Sequence, residues 1–151
     1  MASRTVRDII TQIRSMHRQL GNLYQTMGDA AARERVKMLL YYVSRHERNL
    51  EEALSQYQQQ AKKGVLDTWY KSATGDPVAE FMDPVRITPD MASDAVVRTV
   101  LEADQKLVDQ FRRLAETGPS EDVRELFQKL IAIEEREEHL LVRDAAELED
   151  V

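Results

Sequence analysis

The sequence predicts an all-α protein in which two antiparallel helical hairpins pack into one four-helix bundle. Glycine and proline, five and four in number, all lie between residues 21 and 120, and helix-forming residues dominate the rest. Apolar residues recur at three- and four-residue steps in four segments, as they do on the buried face of a helix. The connections between these segments are short, long and short, which is the connectivity of a bundle with one long crossover.

The first predicted hairpin spans residues 3–62. Its first helix carries a regular apolar stripe at Val6, Ile9, Ile10, Ile13, Met16, Leu20, Leu23, Tyr24 and Met27. Ser3 or Thr5 is the expected N-cap, and Gly28 and Asp29 are expected to end the helix. The next helix begins near Ala30 after a short connection, so the two helices should be antiparallel neighbours.

The crossover spans residues 63–89 and the second hairpin residues 90–149. We predict a short helix in the crossover at 66–71 or 78–81, and we expect its aromatic residues to pack on the bundle because their exposure to water is unfavourable. These residues are Trp69, Tyr70 and Phe81. The third helix should begin near Asp90, after Pro89, and Ser120 should cap the fourth.

The two hairpins form an internal repeat with a constant offset of 87 residues. The matched pairs include Ile10 and Val97, Leu20 and Leu107, Tyr24 and Phe111, Val36 and Val123, Leu40 and Phe127, and Leu54 and Leu141. Because one offset serves both helices and the turn between them, the match indicates a duplicated hairpin.

Ionisable residues interrupt each apolar stripe near its middle. His17 and Asp104 are repeat partners on the first and third helices, and Glu47 and Glu134 are repeat partners on the second and fourth. Glu137 follows one turn after Glu134. Buried charges need partners, which are either one another, other polar groups or a metal ion. We place His46 at the edge of its stripe, as a carboxylate partner rather than a ligand, and His139 on the surface.

The pattern resembles the ferritin-like superfamily, most closely its rubrerythrin-type members. The motifs that carry the resemblance are Phe127-x-x-Leu130-x-x-x-Glu134-x-x-Glu137-x-x-x-Leu141, together with the polar residue seven before an aromatic in His17…Tyr24 and Asp104…Phe111. The family places a Glu on the first helix, a Glu-x-x-His on the second, and the same set again on the third and fourth. In this chain Leu50 and Glu137 stand where the two family histidines are expected.

The resemblance implies a metal site in the bundle core with His17, Glu47, Asp104, Glu134 and Glu137 as ligands. This donor set suits iron, manganese or zinc, and it implies a role in metal handling or oxidative stress. Because Leu50 removes a ligand, the alternative is a metal-free bundle that serves as an interaction or structural module. A third hypothesis is that the crossover, with Trp69, is a contact surface for a protein partner.

Composition excludes several other functions. The chain has no cysteine, which excludes thiolate sites and disulfides, and its net charge of -6 disfavours nucleic acid. It contains no apolar run of about 20 residues that could cross a membrane, and no glycine-rich phosphate loop or other sign of an organic cofactor. We expect a cytoplasmic protein, and a homodimer because symmetric dimers are the commonest oligomers.

Overall fold

The computed structural model describes residues 3–71, 87–88 and 90–149, and this part of the chain is helical apart from one short two-stranded ribbon. The all-α prediction is therefore confirmed. The helices are α1 (Val6–Ala30), α2 (Glu34–Gln60), α3 (Lys63–Leu66), α4 (Ser93–Glu116) and α5 (Glu121–Glu149). Among the described residues no helix is long and apolar enough to span a bilayer.

The first helix begins at Val6, directly after one of its two predicted N-caps. Thr5 is its N-cap: the Thr5 hydroxyl accepts from the Asp8 amide at 3.1 Å, and the Asp8 carboxylate accepts from the Thr5 amide at 3.1 Å. The residues before the cap are extended and form β1 (Ser3–Thr5), which pairs antiparallel with β2 (Trp69–Lys71). Ser3 is thus in a strand and not in a helix, because its backbone pairs with Lys71 in the crossover.

The helices α1 and α2 are antiparallel, as predicted. In the contacts between them, residue numbers fall along α2 as they rise along α1. These contacts join Arg14 to Glu51, His17 to Glu47, Gly21 to Ser44, and Asp29 to Tyr41. The stripe of α1 is buried except at Met27, which is partly buried, and at Leu23, whose exposure of 42% shows that its assignment to the stripe was wrong. Gly28 and Asp29 lie inside the last turn of α1 and do not end it.

The second pair of helices also follows the prediction, with a later start for α4. Ser120 caps α5 by accepting from the Val123 amide at 3.2 Å. The α4 helix begins at Ser93 and not near Asp90, because a turn closed by the Met91 amide and the Thr88 carbonyl, 3.1 Å apart, precedes it. Pro89 lies outside the described residues.

The described part of the crossover differs from the prediction. Its helix is α3 at Lys63–Leu66, which ends where the predicted helix would begin, and residues 69–71 are a strand, so no helix spans 66–71. Trp69 does not pack on the helices: it is 64% exposed, because it lies on the ribbon beside the start of α1. The other predicted helix, at 78–81, and Phe81 lie outside the described residues.

All four long helices contribute to one hydrophobic core. Tyr24 and its repeat partner Phe111 are both fully buried, and the Phe111 ring lies 6.2 Å from the ring of Phe127, in the range where aromatic pairs attract.

The repeat offset also relates the helix starts, since adding 87 to Val6 and Glu34 gives Ser93 and Glu121. Equivalent positions in the two pairs therefore lie at equivalent points along their helices.

Candidate metal centre

His17 on α1 lies in the interior with a carboxylate on each side. Its Nδ1 is 2.5 Å from Glu47 Oε2 on α2, and its Nε2 is 2.9 Å from Glu134 Oε1 on α5. All three side chains are buried. A carboxylate only accepts hydrogen bonds, so both contacts are satisfied when the imidazole carries a proton on each nitrogen. His17 thus contacts both Glu47 and its repeat partner Glu134.

His46 on α2 lies at the centre of a second group. Its Nε2 is 2.8 Å from Asp104 Oδ2 on α4. Its Nδ1 is 3.8 Å from Glu137 Oε2 on α5, an ion-pair distance that is too long for a hydrogen bond. His46 and Asp104 are buried, whereas the Glu137 side chain remains 15% exposed. This second group therefore extends from the core toward the surface.

His46 contacts a carboxylate, as predicted, but it lies deeper in the core than the sequence indicated. We placed it at the stripe edge, but it is only 3% exposed. The reason is that α2 packs against three helices, α1, α4 and α5, so its buried face is wider than a single stripe. One signal was present in the sequence: His46 falls three residues after Val43 and four before Leu50, the same steps that define the apolar stripe.

A close approach of α1 and α2 beside the site determines how near His17 and Glu47 come. Gly21 lies one turn after His17, and the Ser44 hydroxyl donates to its carbonyl at 2.7 Å. A Cβ atom added at Gly21 would meet Arg48 Cγ at 3.3 Å, the Ser44 carbonyl oxygen at 3.4 Å and Glu47 Cβ at 3.7 Å. The absence of a side chain at Gly21 therefore lets the helices approach closely at the level of the site.

Both buried histidines favour their protonated form. Burial alone would lower the pKa of His17, but the charges of Glu134 and Glu47 outweigh this and hold that pKa well above its ordinary value. Burial likewise opposes protonation of His46, while Asp104 and Glu137 raise its pKa to about 10. In the metal-free protein the two imidazoles are thus the cations that balance the carboxylates.

Two acids near the histidines hold protons more tightly than usual. Burial raises the pKa of Asp104, although the neighbouring His46 acts in the opposite direction. Burial, with the charges of Asp104 and Glu134, raises the pKa of Glu138 to about 7. Sequence reasoning missed Glu138, although it lies four residues after Glu134 and so on the same side of the helix. Negative charge is therefore crowded on this part of α5.

The donor atoms in the interior fit a cation. His46, Glu47 and Asp104 each offer one ligand atom, and these atoms lie within 4.8 Å of one another. Metal–ligand bonds of about 2.0–2.2 Å place opposite ligands of one ion roughly 4.2 Å apart, so only small side-chain adjustments are needed. Among the described residues, the buried side-chain atoms of this region without a hydrogen-bond partner are His46 Nδ1, Asp104 Oδ1, Glu134 Oε2 and Glu138 Oε1.

The structure brings together the five residues selected from the sequence, and His46 with them. His17, Glu47 and Glu134 form one set of contacts, and His46, Asp104 and Glu137 form the other. Glu47 joins the two sets because it also lies beside His46 and Asp104. Leu50, which stands where the resemblance expects a histidine, is fully buried. His139 is exposed, as predicted.

The fold and the site together define an all-helical protein with a buried histidine–carboxylate cluster contributed by four helices. No protein-family model, curated protein or solved structure matches this chain.

Proposed function

We propose that this protein is a ferritin-like four-helix bundle whose core binds one or two divalent metal ions of the iron, manganese or zinc class. The buried cluster would hold them, with His46, Glu47 and Asp104 as the central donors and Glu134, Glu137 and His17 beside them. The donor types support this assignment, because imidazole and carboxylate together suit first-row divalent ions. The proposed role is metal handling or defence against oxidative stress.

The observation that carries the proposal is an excess of buried carboxylate over buried cation. The cluster contains three buried carboxylates, those of Glu47, Asp104 and Glu134, and the partly exposed Glu137. These bring four formal negative charges, and His17 and His46 bring at most two positive ones. Among the described residues no lysine or arginine is buried. Uncompensated buried charge is very unfavourable, so the cluster favours a further cation.

Protons and metal ions would compete for the same atoms. A histidine binds metal only as neutral imidazole, so an ion that binds must displace the proton that His17 or His46 shares with its carboxylates. With both histidines neutral, the four carboxylates match the charge of two divalent ions. The residues of this chain would bind and orient the ions, while the apolar core around them limits access of water. A redox-active ion such as iron would supply one-electron chemistry with oxygen or peroxide.

Calorimetric titration of chelator-treated protein with zinc and with manganese tests the proposal. The wild type should bind close to one or two equivalents, and His46→Ala should lose most of the affinity because a central donor is removed. His139→Ala is the matched control, since this exposed histidine should bind no metal in the core and its loss should leave the titration unchanged. No binding by the wild type, or equal binding by both variants, would contradict the proposal.

The direct contacts within the cluster favour a second candidate, the metal-free bundle that acts as an interaction or structural module. Each histidine already lies within hydrogen-bond distance of a carboxylate, at 2.5 Å and 2.9 Å for His17 and 2.8 Å for His46. Such pairs fix the packing of four helices without an ion, a role that buried polar groups have in other helical assemblies. This candidate predicts that stability is the same with a chelator as with added metal.

A further inference from the structure

A cleft between α2 and α5 reaches the buried cluster from the surface. Its volume is about 180 Å³, and His46 and Glu137 are part of its wall. The rest of the cleft includes Tyr42, Arg45 and Asn49 from α2 and Leu140, Arg143 and Asp144 from α5. Residues 42, 45, 46 and 49 recur at three- and four-residue steps, so they share one face of α2. The cleft thus joins solvent to two members of the cluster.

His46 and Glu137 form the inner end of this cleft. The Nε2 edge of His46 is bound to Asp104 in the core, while Nδ1, on the other edge, is buried without a hydrogen-bond partner. That nitrogen is 3.8 Å from the Glu137 carboxylate, which is itself partly exposed. A cation that enters the cleft would therefore meet the partly exposed Glu137 carboxylate first and the buried Nδ1 of His46 next.

The size of the cleft suits a small ion, whereas the charge at its mouth opposes the entry of a cation. Its volume of about 180 Å³ is well above the minimum of about 10–15 Å³ that a single water needs, so an ion could enter with part of its hydration shell. Arg143 donates to Asp144, which offsets both charges. The Arg45 guanidinium lies instead over the Tyr42 ring, 5.7 Å from its centroid. Arg45 therefore places positive charge at the mouth.

We propose that this cleft is the path by which a divalent ion passes between solution and the core, with Glu137 as the first protein ligand that it meets and Arg45 as an electrostatic brake on entry. The inference rests on the proposed function, because it concerns access to that same metal centre. The cleft would determine how fast an ion reaches the core, whereas the cluster would determine how tightly the ion is bound.

Stopped-flow absorption with cobalt(II) as the only added metal tests the path. Asn49→Trp should narrow the cleft without touching the cluster, so cobalt uptake should slow several-fold while the equilibrium affinity stays unchanged. Gln56→Trp is the matched control: Gln56 is also exposed on α2, two turns further along, and it should leave the rate unchanged. Cobalt binding with equal rates in both variants would overturn the path alone, whereas no cobalt binding by the wild type would overturn the metal centre itself.

Charge reversal at the mouth provides an independent test. Arg45→Glu should speed cobalt uptake by about threefold or more at low ionic strength, because a repulsive charge becomes attractive, and added salt should reduce the gain. Lys129→Glu makes the same change in net charge at an exposed position of α5 outside the cleft. An acceleration that is equal in the two variants, or absent in Arg45→Glu, would contradict a specific role for the mouth.

Discussion

At the scale of single residues, the cluster consists of histidines that share their protons with neighbouring carboxylates. His17 lies between two glutamates and His46 beside an aspartate, and each histidine is buried. Burial opposes protonation of the imidazoles, but the adjacent carboxylates prevail and raise both pKa values. The same atoms can therefore be held by protons or by a metal ion, and the solution conditions decide between them.

The raised pKa values predict how the stability of the metal-free protein depends on pH. The pKa of His46 is about 10 in the folded protein against an ordinary value of 6.5, so between these limits the folded state binds more protons than the unfolded state. Its stabilising effect is complete below pH 6.5 and is lost as the pH rises toward 10. His17 acts in the same direction.

Urea denaturation in the presence of a chelator measures this effect. Between pH 7 and 9 the free energy of unfolding should fall by about 1.4 kcal/mol per pH unit for each protonated histidine. His46→Ala should weaken the pH dependence, and His139→Ala should leave it unchanged because that side chain is exposed. A free energy of unfolding that stays constant or rises over this range would show that the histidines are neutral in the folded protein.

The residues of the cluster were largely predictable, because a polar residue inside an apolar stripe is visible in the sequence. His17, Glu47, Asp104 and Glu134 are all fully or almost fully buried, as that pattern indicated. His46 was expected to contact a carboxylate but not to be fully in the core, and Glu138 was not identified, since their surroundings depend on how many helices lie around α2 and α5. A stripe gives the direction of burial for one helix, but the width of the buried face depends on tertiary packing.

At the scale of elements, the spacing between α1 and α2 is set at Gly21 and Ser44. The Ser44 hydroxyl donates to the Gly21 carbonyl, and the missing side chain lets the helices come close beside His17 and Glu47. Side-chain caps mark the starts of α1 and α5, and the helix limits agree with the sequence to within a few residues.

Enlarging Gly21 should separate the two helices. Gly21→Val would crowd the Ser44 carbonyl and Arg48, so we expect a loss of stability of about 1–3 kcal/mol and weaker metal binding through displaced Glu47. Gly64→Val is the control, because no atom lies within 4 Å of a Cβ atom added at Gly64. Denaturant unfolding and metal titration of both variants measure the effect, and equal behaviour would contradict a spacing role for Gly21.

The crossover was the element least accessible to sequence reasoning. Its first residues form α3 and then a strand that pairs with the segment before α1. Apolar composition suggested that Trp69 would be covered, but the pairing of β1 with β2 depends on two segments more than 60 residues apart. A local sequence pattern cannot reveal a contact between such distant segments, and strands of three residues are too short to show the alternation of apolar and polar residues that identifies a strand.

At the scale of the whole molecule, matching positions of the two hairpins bring four ionisable side chains into the interior. His17 and Asp104 occupy equivalent positions in α1 and α4, as do Glu47 and Glu134 in α2 and α5, and all four side chains are buried. The two halves then differ in detail: His46 has the apolar Ile133 as its repeat partner, and Glu137 has Leu50. The two halves of the site therefore carry different side chains at these equivalent positions.

Anomalous diffraction from crystals soaked anaerobically in ferrous iron tests the central claim most directly. The proposed metal centre predicts a peak about 2.0–2.5 Å from donor atoms of His46, Glu47 and Asp104, with the His46 contact to Asp104 rearranged around it. The contrary result is a core without a peak, in which His17 still contacts Glu47 and Glu134 and His46 still contacts Asp104. That result would mean that the buried acids and histidines serve only to hold the four helices together.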